Sequence, residues 1–448
     1  MSERMPILER FGLHRPELRA WAMYDWANSA FILVIVTAVF PIYYEKVAAA
    51  AGLESSEATK WLSYSTTAAL LCVALFSPVL GAIADYLGAK KRMLAIFVVT
   101  GSVASSLLFF VHSGQWVGAL VLFAIGNASI FLSFVFYDSL LPHIAKSDEE
   151  LDRVSTAGYA VGYLGSGLLL VAIIALVQNP GWLGLADAGA ATRAGFLAVG
   201  LWWAVFSLPL FLRVPEPPRQ IEADETSAAS AVGVALDRLK ETASELRGSY
   251  KEAFKMLVAY MIYNEGIGTI IRMGGIYAVS KSFPEDSVII AILLIQFAGI
   301  PFAFLFGSLG PLLGTKRTIL LGVTVYAGIS IVAYRMETIT EFYVMAALVA
   351  MVQGGTQGLS RSLFGTLIPK HKASEFFGFF SVFAKVAGIF GPLVFGLVLE
   401  ATGSLQQAIL SVILFFIVGG ILLARVDVDR GQKQAEDAEA RLLAEEDA

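Results

Sequence analysis

GAIADYLGAKKR, from Gly81 to Arg92, and GSLGPLLGTKR, from Gly307 to Arg317, are two versions of one loop. In each, a second glycine follows seven residues after the first, and a lysine two residues after that. Each loop stands between two long apolar runs, and the repeat extends beyond it, since Tyr24-Asp25 in the first run matches Tyr263-Asn264 in the seventh. Working outward from the loops gives twelve apolar spans. They lie near 20–44, 59–83, 93–112, 116–142, 151–178 and 194–213, then 251–280, 287–310, 317–334, 340–368, 375–400 and 405–424. Roughly 20 mostly apolar residues suffice to cross a bilayer as a helix. The expected fold is therefore an all-α membrane protein with twelve transmembrane helices in two pseudo-symmetric six-helix bundles. Residues 1–213 and 251–424 form the halves. A cytoplasmic linker, 214–250, begins PEPPRQIEADETS and becomes amphipathic, with Leu236, Leu239, Ala243 and Leu246 on one side. Residues 425–448 form a charged tail.

Composition agrees with a polytopic membrane protein. Of 448 residues, 57% are hydrophobic and only 15% charged, against about 25% charged in soluble domains. The mean hydropathy is +0.70. Cys72 is the single cysteine, which excludes a disulfide within the chain. The first twenty residues are too charged to be a secretory signal, so the first span is expected to remain. Lys46, Lys60, Arg193, Lys281 and Arg335 fall on one side, and Arg272, Arg361 and Lys385 lie within spans. The remaining Lys and Arg gather on the other side. The positive-inside rule then places both termini in the cytoplasm, in what is expected to be a bacterial inner membrane.

The seventh span, AYMIYNEGIGTIIRMGGIYA from Ala259 to Ala278, carries Asn264, Glu265 and Arg272 among apolar residues. Glu265, Thr269 and Arg272 share one helical face. An ionisable group at the bilayer centre costs about 3 kcal/mol on insertion scales, so this helix is expected to line a solute pathway. Other polar groups at depth fall into sets. Asp25 and Asn28 share a face of span one, read either as cavity lining or as an interfacial contact. Asn127 and Asp138 lie on nearly the same side of span four. Gln353, Gln357 and Arg361 make a polar stripe on span ten beside Gly354, Gly355 and Gly358, read as a helix that a solute approaches. The glycine arrays at Gly158–Gly167 and Gly388–Pro392 are read as close helix packing, and Ser147 with Glu150 as a capping box.

The glycine–basic loop resembles the signature between helices two and three of the major facilitator superfamily, although Tyr86 stands where that signature has an arginine after the aspartate. WAMYDWANSAF (Trp21–Phe31), FYDSLLP (Phe136–Pro142), YNEGIGTI (Tyr263–Ile270), QGLSRSLFGTLIP (Gln357–Pro369) and EFFGFFSVFAKVAGIFGPL (Glu375–Leu393) are similar to one branch of it. That branch contains the yeast vacuolar amino-acid effluxer. The resemblance covers nearly the whole chain and implies a proton-linked or facilitative solute porter, working by alternating access. It implies a cytoplasmic gate of Asp85, Asp138 and the basic Lys90, Lys91 and Arg92. Because the first and fifth helices of each half are neighbours in this superfamily, it also implies a Glu265–Lys385 ion pair that takes part in proton coupling with Asp25. Arg272 is the poorer partner, about 10 Å away along its own helix.

The resulting expectation is a monomeric transporter of a small polar solute, an amino acid or similar zwitterion. Asn28, Asn127, Tyr263, Asn264, Gln353, Gln357, Arg361 and Arg272 are its substrate-binding candidates, with Arg361 favoured for a substrate carboxylate. The chain offers no metal-ligand spacing, no phosphate loop and no nucleic-acid signature, so neither cofactor nor metal nor nucleic acid is expected. Rival readings are a membrane-embedded transferase, a receptor without a solute path, and a porter of lipids or drugs.

Overall fold

The computed structural model describes residues 6–219, 240–388 and 390–446, and among these it is helical with no strand. The first half comprises α1 to α6. Helix α1 runs Pro16–Ala30, continues as a π-helical stretch Phe31–Ala38, and bends by 44° into Phe40–Ala49. There follow α2 (Ser55–Leu87), α3 (Lys90–Leu107), α4 (Trp116–Ile144), α5 (Asp148–Gln178) and α6 (Ala188–Arg213). The second half comprises α7 (Lys251–Ser280), α8 (Glu285–Leu313), α9 (Thr315–Arg335) and α10 (Ile339–Thr366). It is completed by α11, in two pieces (Ala373–Ala387 and Phe390–Thr402), and α12, also in two (Leu405–Ser411 and Ile413–Ala424). A tail helix, α13, spans Val428–Glu446. Among the described residues nine helices are long and apolar enough to cross a membrane by themselves, and bent α1 makes a tenth. Helix α7 and broken α11 complete the twelve. Leu236 and Leu239 of the expected linker helix lie outside the described residues, while Leu246 is buried.

The repeated loop owes its spelling to two geometric needs. Gly88 and Gly314 hold φ of +60° and +89°, the left-handed region where a side chain is strained. Gly81 and Gly307 are needed for close approach: a Cβ at Gly81 would collide with the Ser374 carbonyl of α11, and one at Gly307 with the Thr156 hydroxyl of α5. The repeated glycine is thus the point where each half touches the other. The basic residues also repeat, shifted by one position. Lys91 Nζ donates to the Phe211 and Val214 carbonyls at 2.9 and 2.6 Å, and Lys316 Nζ to the Val426 carbonyl at 2.9 Å. Each cation satisfies orphan carbonyls at the end of the sixth helix of its half. The tyrosine pair repeats as well, with Tyr24 donating to Ser133 Oγ at 2.7 Å and the Tyr263 hydroxyl 2.6 Å from Ser360 Oγ.

Each half has its own apolar cluster, one from Leu18 to Val214 and one from Leu246 to Val426. The halves meet most closely on the face that carries both chain ends, here the terminal face. Ser77 Oγ donates to the Gly378 carbonyl, Ser374 Oγ to Ser139 Oγ, and Ser155 Oγ to the Gly358 carbonyl. Toward the opposite face α2 and α11 lose their cover. Ser77, Pro78, Gly81 and Asp85 are buried, whereas Lys60, Trp61, Ser63, Tyr64, Thr67 and Ala68 are exposed on successive turns. The terminal face is closed and the opposite face open. Gly81→Val should prevent that closure, so a cysteine replacing buried Ser374, in a Cys72→Ser background, should gain reactivity toward a membrane-impermeant maleimide. Unchanged labelling would show that the glycine contact does not hold the face shut.

Candidate functional site

Arg361 is the centre of the site. It lies on α10, one turn from the terminal face, yet its guanidinium reaches into the first half. Nη1 donates to Asp138 Oδ1 of α4 at 3.1 Å, and Nη2 to Asp25 Oδ2 of α1 at 3.3 Å. Nη2 also donates to the Ser155 carbonyl of α5 at 2.8 Å, and Nε to Ser155 Oγ at 2.9 Å. The rings of Trp21, Tyr159 and Tyr137 surround it, with centroids 4.6, 5.0 and 5.5 Å from Cζ. Tyr137 in turn donates to Asp25 Oδ2 at 2.9 Å, and Asn28 Nδ2 to Asp25 Oδ1 at 3.4 Å. The charged side chains are 6%, 9% and 12% exposed for Arg361, Asp25 and Asp138. A Cβ at Gly158 would overlap the Asp25 carboxylate, which explains that glycine of the α5 array.

Two corrections follow. Arg361 does not stand free for a substrate carboxylate in this state, because Asp25, Asp138 and Ser155 take up its donors. Asp138 does not meet the basic loop. Lys90 is paired with Asp85 on its own loop, Lys91 is spent on the end of α6, and Arg92 is exposed. Asp85 does join the halves, but by accepting the Glu375 backbone N–H at the start of α11 at 2.9 Å. A carboxylate at a helix N-terminus is favoured by the unsatisfied amides there. Asp152 performs a similar service between α5 and the second half, accepting from Thr315 Oγ1 at 2.6 Å and from Ser362 Oγ. The sequence does place Asp152 and Ser155 one turn apart on α5, yet nothing in it points to partners some 200 residues away.

A second cluster lies deeper. Glu265 Oε1 accepts from Gly391 N at 2.7 Å, Arg272 Nη2 at 2.9 Å and Thr269 Oγ1 at 3.2 Å. The expected Glu265–Lys385 pair is therefore replaced by Glu265–Arg272. Side chains on a helix lean toward its N-terminus, so Arg272 leans back down α7 toward Glu265. Gly268, one turn below Arg272, leaves room for it: a Cβ there would come within 3.1 Å of Arg272 Nη1. Lys385 instead crosses to the other half, with Nζ 3.2 Å from the centroid of the Phe131 ring of α4. Gly391 is also corrected, for it serves a carboxylate rather than helix packing.

With both clusters in view, known proteins give the context. The sequence matches the family described as vacuole effluxer Atg22 like over residues 14–436. The chain belongs to this family. Among the relatives of this Atg22-like protein, the uncharacterized MFS-type transporter YxiO of Bacillus subtilis is 34% identical over 414 residues, covering 91% of this chain and 94% of the relative. Autophagy-related protein 22-1 of Phaeosphaeria nodorum is 24% identical, covering 95% and 93%. In fold, it is similar to the proton:xylose symporter XylE bound to 6-bromo-6-deoxy-D-glucose, with TM-score 0.69 at 13% identity, covering 96% of this chain and 98% of that one. It is also similar to a bacterial homologue of the iron transporter ferroportin in an outward-facing state, with TM-score 0.64 at 14% identity, covering 92% and 98%. This is a multi-pass major facilitator transporter of the Atg22 branch, not an enzyme.

The other candidates of this Atg22-like chain are scattered. Asn127 is fully buried, and neither its Oδ1 nor its Nδ2 has a hydrogen-bond partner among the described residues. Gln353 Oε1 is likewise unpartnered, Gln357 and Asn264 are half-buried, and Tyr263 is tied to Ser360. The glycines beside the α10 stripe are packing positions: Gly354 faces Tyr163, Gly355 faces Phe306 and Gly358 faces Thr156. A cleft of about 450 Å³ between α1, α5, α6 and α8 opens on the opposite face, and none of the residues of either charged cluster lines it.

Breaking a buried ion pair by removing one partner costs about 3–5 kcal/mol. Arg361→Gln should therefore lower the thermal unfolding temperature, because Asp25 and Asp138 are left without their cation. Adding Asp25→Asn and Asp138→Asn to that variant should restore most of the loss. No difference between single and triple variants in a melting assay would remove the electrostatic account of the cluster.

Proposed function

We propose that the protein moves a small polar solute, an amino acid, across a bacterial inner membrane by alternating access, driven by protons and acting as a monomer. The terminal face is cytoplasmic in this reading, on the strength of its excess of Lys and Arg, and the conformation is then outward-open. The observation that carries the proposal is the placement of Arg361 from the second half between Asp25 and Asp138 of the first. Such a bond exists only while the halves are closed on that side. A rocking transporter needs a contact of this kind that is made and broken in each cycle. Asp85 on the Glu375 amide, and Asp152 on Thr315 and Ser362, add to the same closure. The amino-acid assignment draws support from the presence of both charge signs at depth, Asp25 and Asp138 around Arg361 in one cluster and Glu265 with Arg272 in the other. It also draws on the resemblance to a vacuolar amino-acid effluxer. Proton coupling draws support from Glu265, a buried carboxylate bonded to the half-exposed Arg272, and the fold is shared with a proton:xylose symporter.

Reconstituted in proteoliposomes, the protein should exchange labelled amino acids, and an inwardly directed proton gradient should drive net accumulation. Glu265→Gln should abolish driven accumulation and keep exchange. Absence of exchange for every standard amino acid would reject the substrate assignment. Driven accumulation by the Gln variant at the wild-type level would reject Glu265 as the coupling group.

A further inference from the structure

The cleft on the face opposite the termini has no part in either charged cluster. It begins at Ala38, where α1 bends by 44°, and runs outward along that helix to Lys46. Tyr43 Oη donates to the Val111 carbonyl at 2.7 Å, and the Gly114 N–H to the Val47 carbonyl at 3.1 Å, so the outer piece of α1 is tied to the α3–α4 connection. Val39 and Ile42 of that piece, Ile173 and Val177 of α5, and Ile289 and Ile292 of α8 make apolar walls. Asp187 to Arg193, at the start of α6, closes the remaining side. At about 450 Å³ the cleft falls within the range of roughly 300–1,000 Å³ usual for sites that hold small molecules.

Charge and depth decide what belongs there. Of the five cations on this side, Lys281 pairs with Glu337, whereas Lys46 and Arg193 both line the cleft and make no ion pair among the described residues. Arg193 leans back over Gly189, where a Cβ would lie 3.8 Å from its Nη1. Asp187 is the one carboxylate in the lining among the described residues, and its Oδ1 accepts the Ala190 N–H at 2.7 Å as the cap of α6. The mouth thus presents two uncommitted cations above apolar walls. Trp182 and Leu183, in the connection between α5 and α6, are 70% and 69% exposed. A tryptophan with its ring bare at the end of a span marks the headgroup level of a bilayer. Lys46 near the end of α1 and Arg193 in the first turns of α6 stand near that level, and the walls run inward from it.

We infer that the cleft holds an anionic phospholipid from the leaflet on that side, its phosphate on Lys46 and Arg193 and an acyl chain along Val39, Ile173 and Ile292. Basic pockets between transmembrane helices recognise anionic headgroups in this way. A zwitterionic lipid brings its own cation and gains less from the pair, and a free anion leaves the apolar walls bare. The site also bears on the cycle. The close contacts of α5 with α8 end at Phe297 on Gly167, and the cleft lies outward of them with walls from both halves. Closing this face brings α8 toward α1 and narrows the cleft. The lipid therefore binds the present state better than the alternative and holds the population in it. That last step rests on the transporter reading; the lipid site itself does not.

The full-length protein, purified in detergent, is melted with dioleoylphosphatidylglycerol, with dioleoylphosphatidylcholine, and with sodium phosphate at matched ionic strength. A ligand that binds only the native state raises the unfolding temperature with its concentration. Phosphatidylglycerol should raise it more than phosphatidylcholine, and phosphate should not raise it. Lys46→Gln with Arg193→Gln should lose most of the difference between the lipids. A double variant that keeps the whole difference places the anionic lipid elsewhere and overturns the site, as does a wild type that melts alike in both lipids. An equal shift from phosphate alone makes this an anion site and overturns the lipid. If the double variant does not fold, Lys46→Gln alone, at an exposed position, decides by the same comparison. In proteoliposomes, Ser374→Cys in the Cys72→Ser background should label more slowly in phosphatidylglycerol than in phosphatidylcholine, and the two glutamines should equalise the rates. Equal rates without the glutamines would reject the hold on the cycle. Amino-acid exchange with no lipid preference in melting would reject the site and keep the transporter reading; lipid preference with no exchange of any amino acid would do the reverse.

Discussion

A guanidinium held between two carboxylates, away from water, is the interaction on which the rest of this structure depends. Taking three charges out of solvent is unfavourable unless every lone pair and N–H finds a partner. Here the partners come from α1, α4 and α5 on one side and α10 on the other. The need to satisfy Arg361 therefore dictates how the halves approach. It calls for glycine at 158, for aromatic walls at Trp21, Tyr137 and Tyr159, and for close approach at Gly81 and Gly307. The same interaction has a second value when it is broken, since each half is then left with charges that attract water. A contact of this kind favours two well-separated states over a continuum of intermediate ones.

The glycine loops illustrate how one residue type at two positions encodes two different facts. Gly88 and Gly314 are fixed by backbone torsion within a half. Gly81 is fixed by the other half's backbone and Gly307 by the other half's Thr156 side chain, and so both are informative about quaternary-like packing inside a single chain. The apparent match of Lys90 with Lys316 follows the spelling, whereas the shared work of capping the sixth helix belongs to Lys91 and Lys316. Spelling and work differ by one residue because the first copy spends Lys90 on Asp85, for which Pro311 in the second copy has no use.

What a sequence reveals here follows the range of the interaction. Span number, the twofold repeat and the Tyr24–Tyr263 correspondence were legible because apolar runs and short motifs are local. That Glu265, Arg272, Arg361 and Lys385 matter was legible too, since charge at depth demands a reason. Their pairing was not. Arg361 finds Asp25 and Asp138 across 336 and 223 residues, and no spacing rule reaches that far. The Glu265–Arg272 bond could have been seen, because Gly268 one turn below Arg272 frees the path for a side chain that leans back toward the N-terminus. Distance along the helix axis alone misleads when the side chain is as long as arginine.

The pairing of α5 with α8 has a mechanical consequence. From the terminal face to past mid-span the two helices stay in contact, Thr156 on Gly307, Tyr163 on Gly299 and Phe297 on Gly167, while α2 and α11 are covered at one end only. The opening is thus a wedge with one closed edge rather than a funnel. A wedge has a flank, and this one faces the hydrocarbon between the bare turns of α2 and the second piece of α11. Such a flank puts water above the opening and acyl chains beside it. The width of the opening is then limited by the angle between two helices instead of by the diameter of a pore.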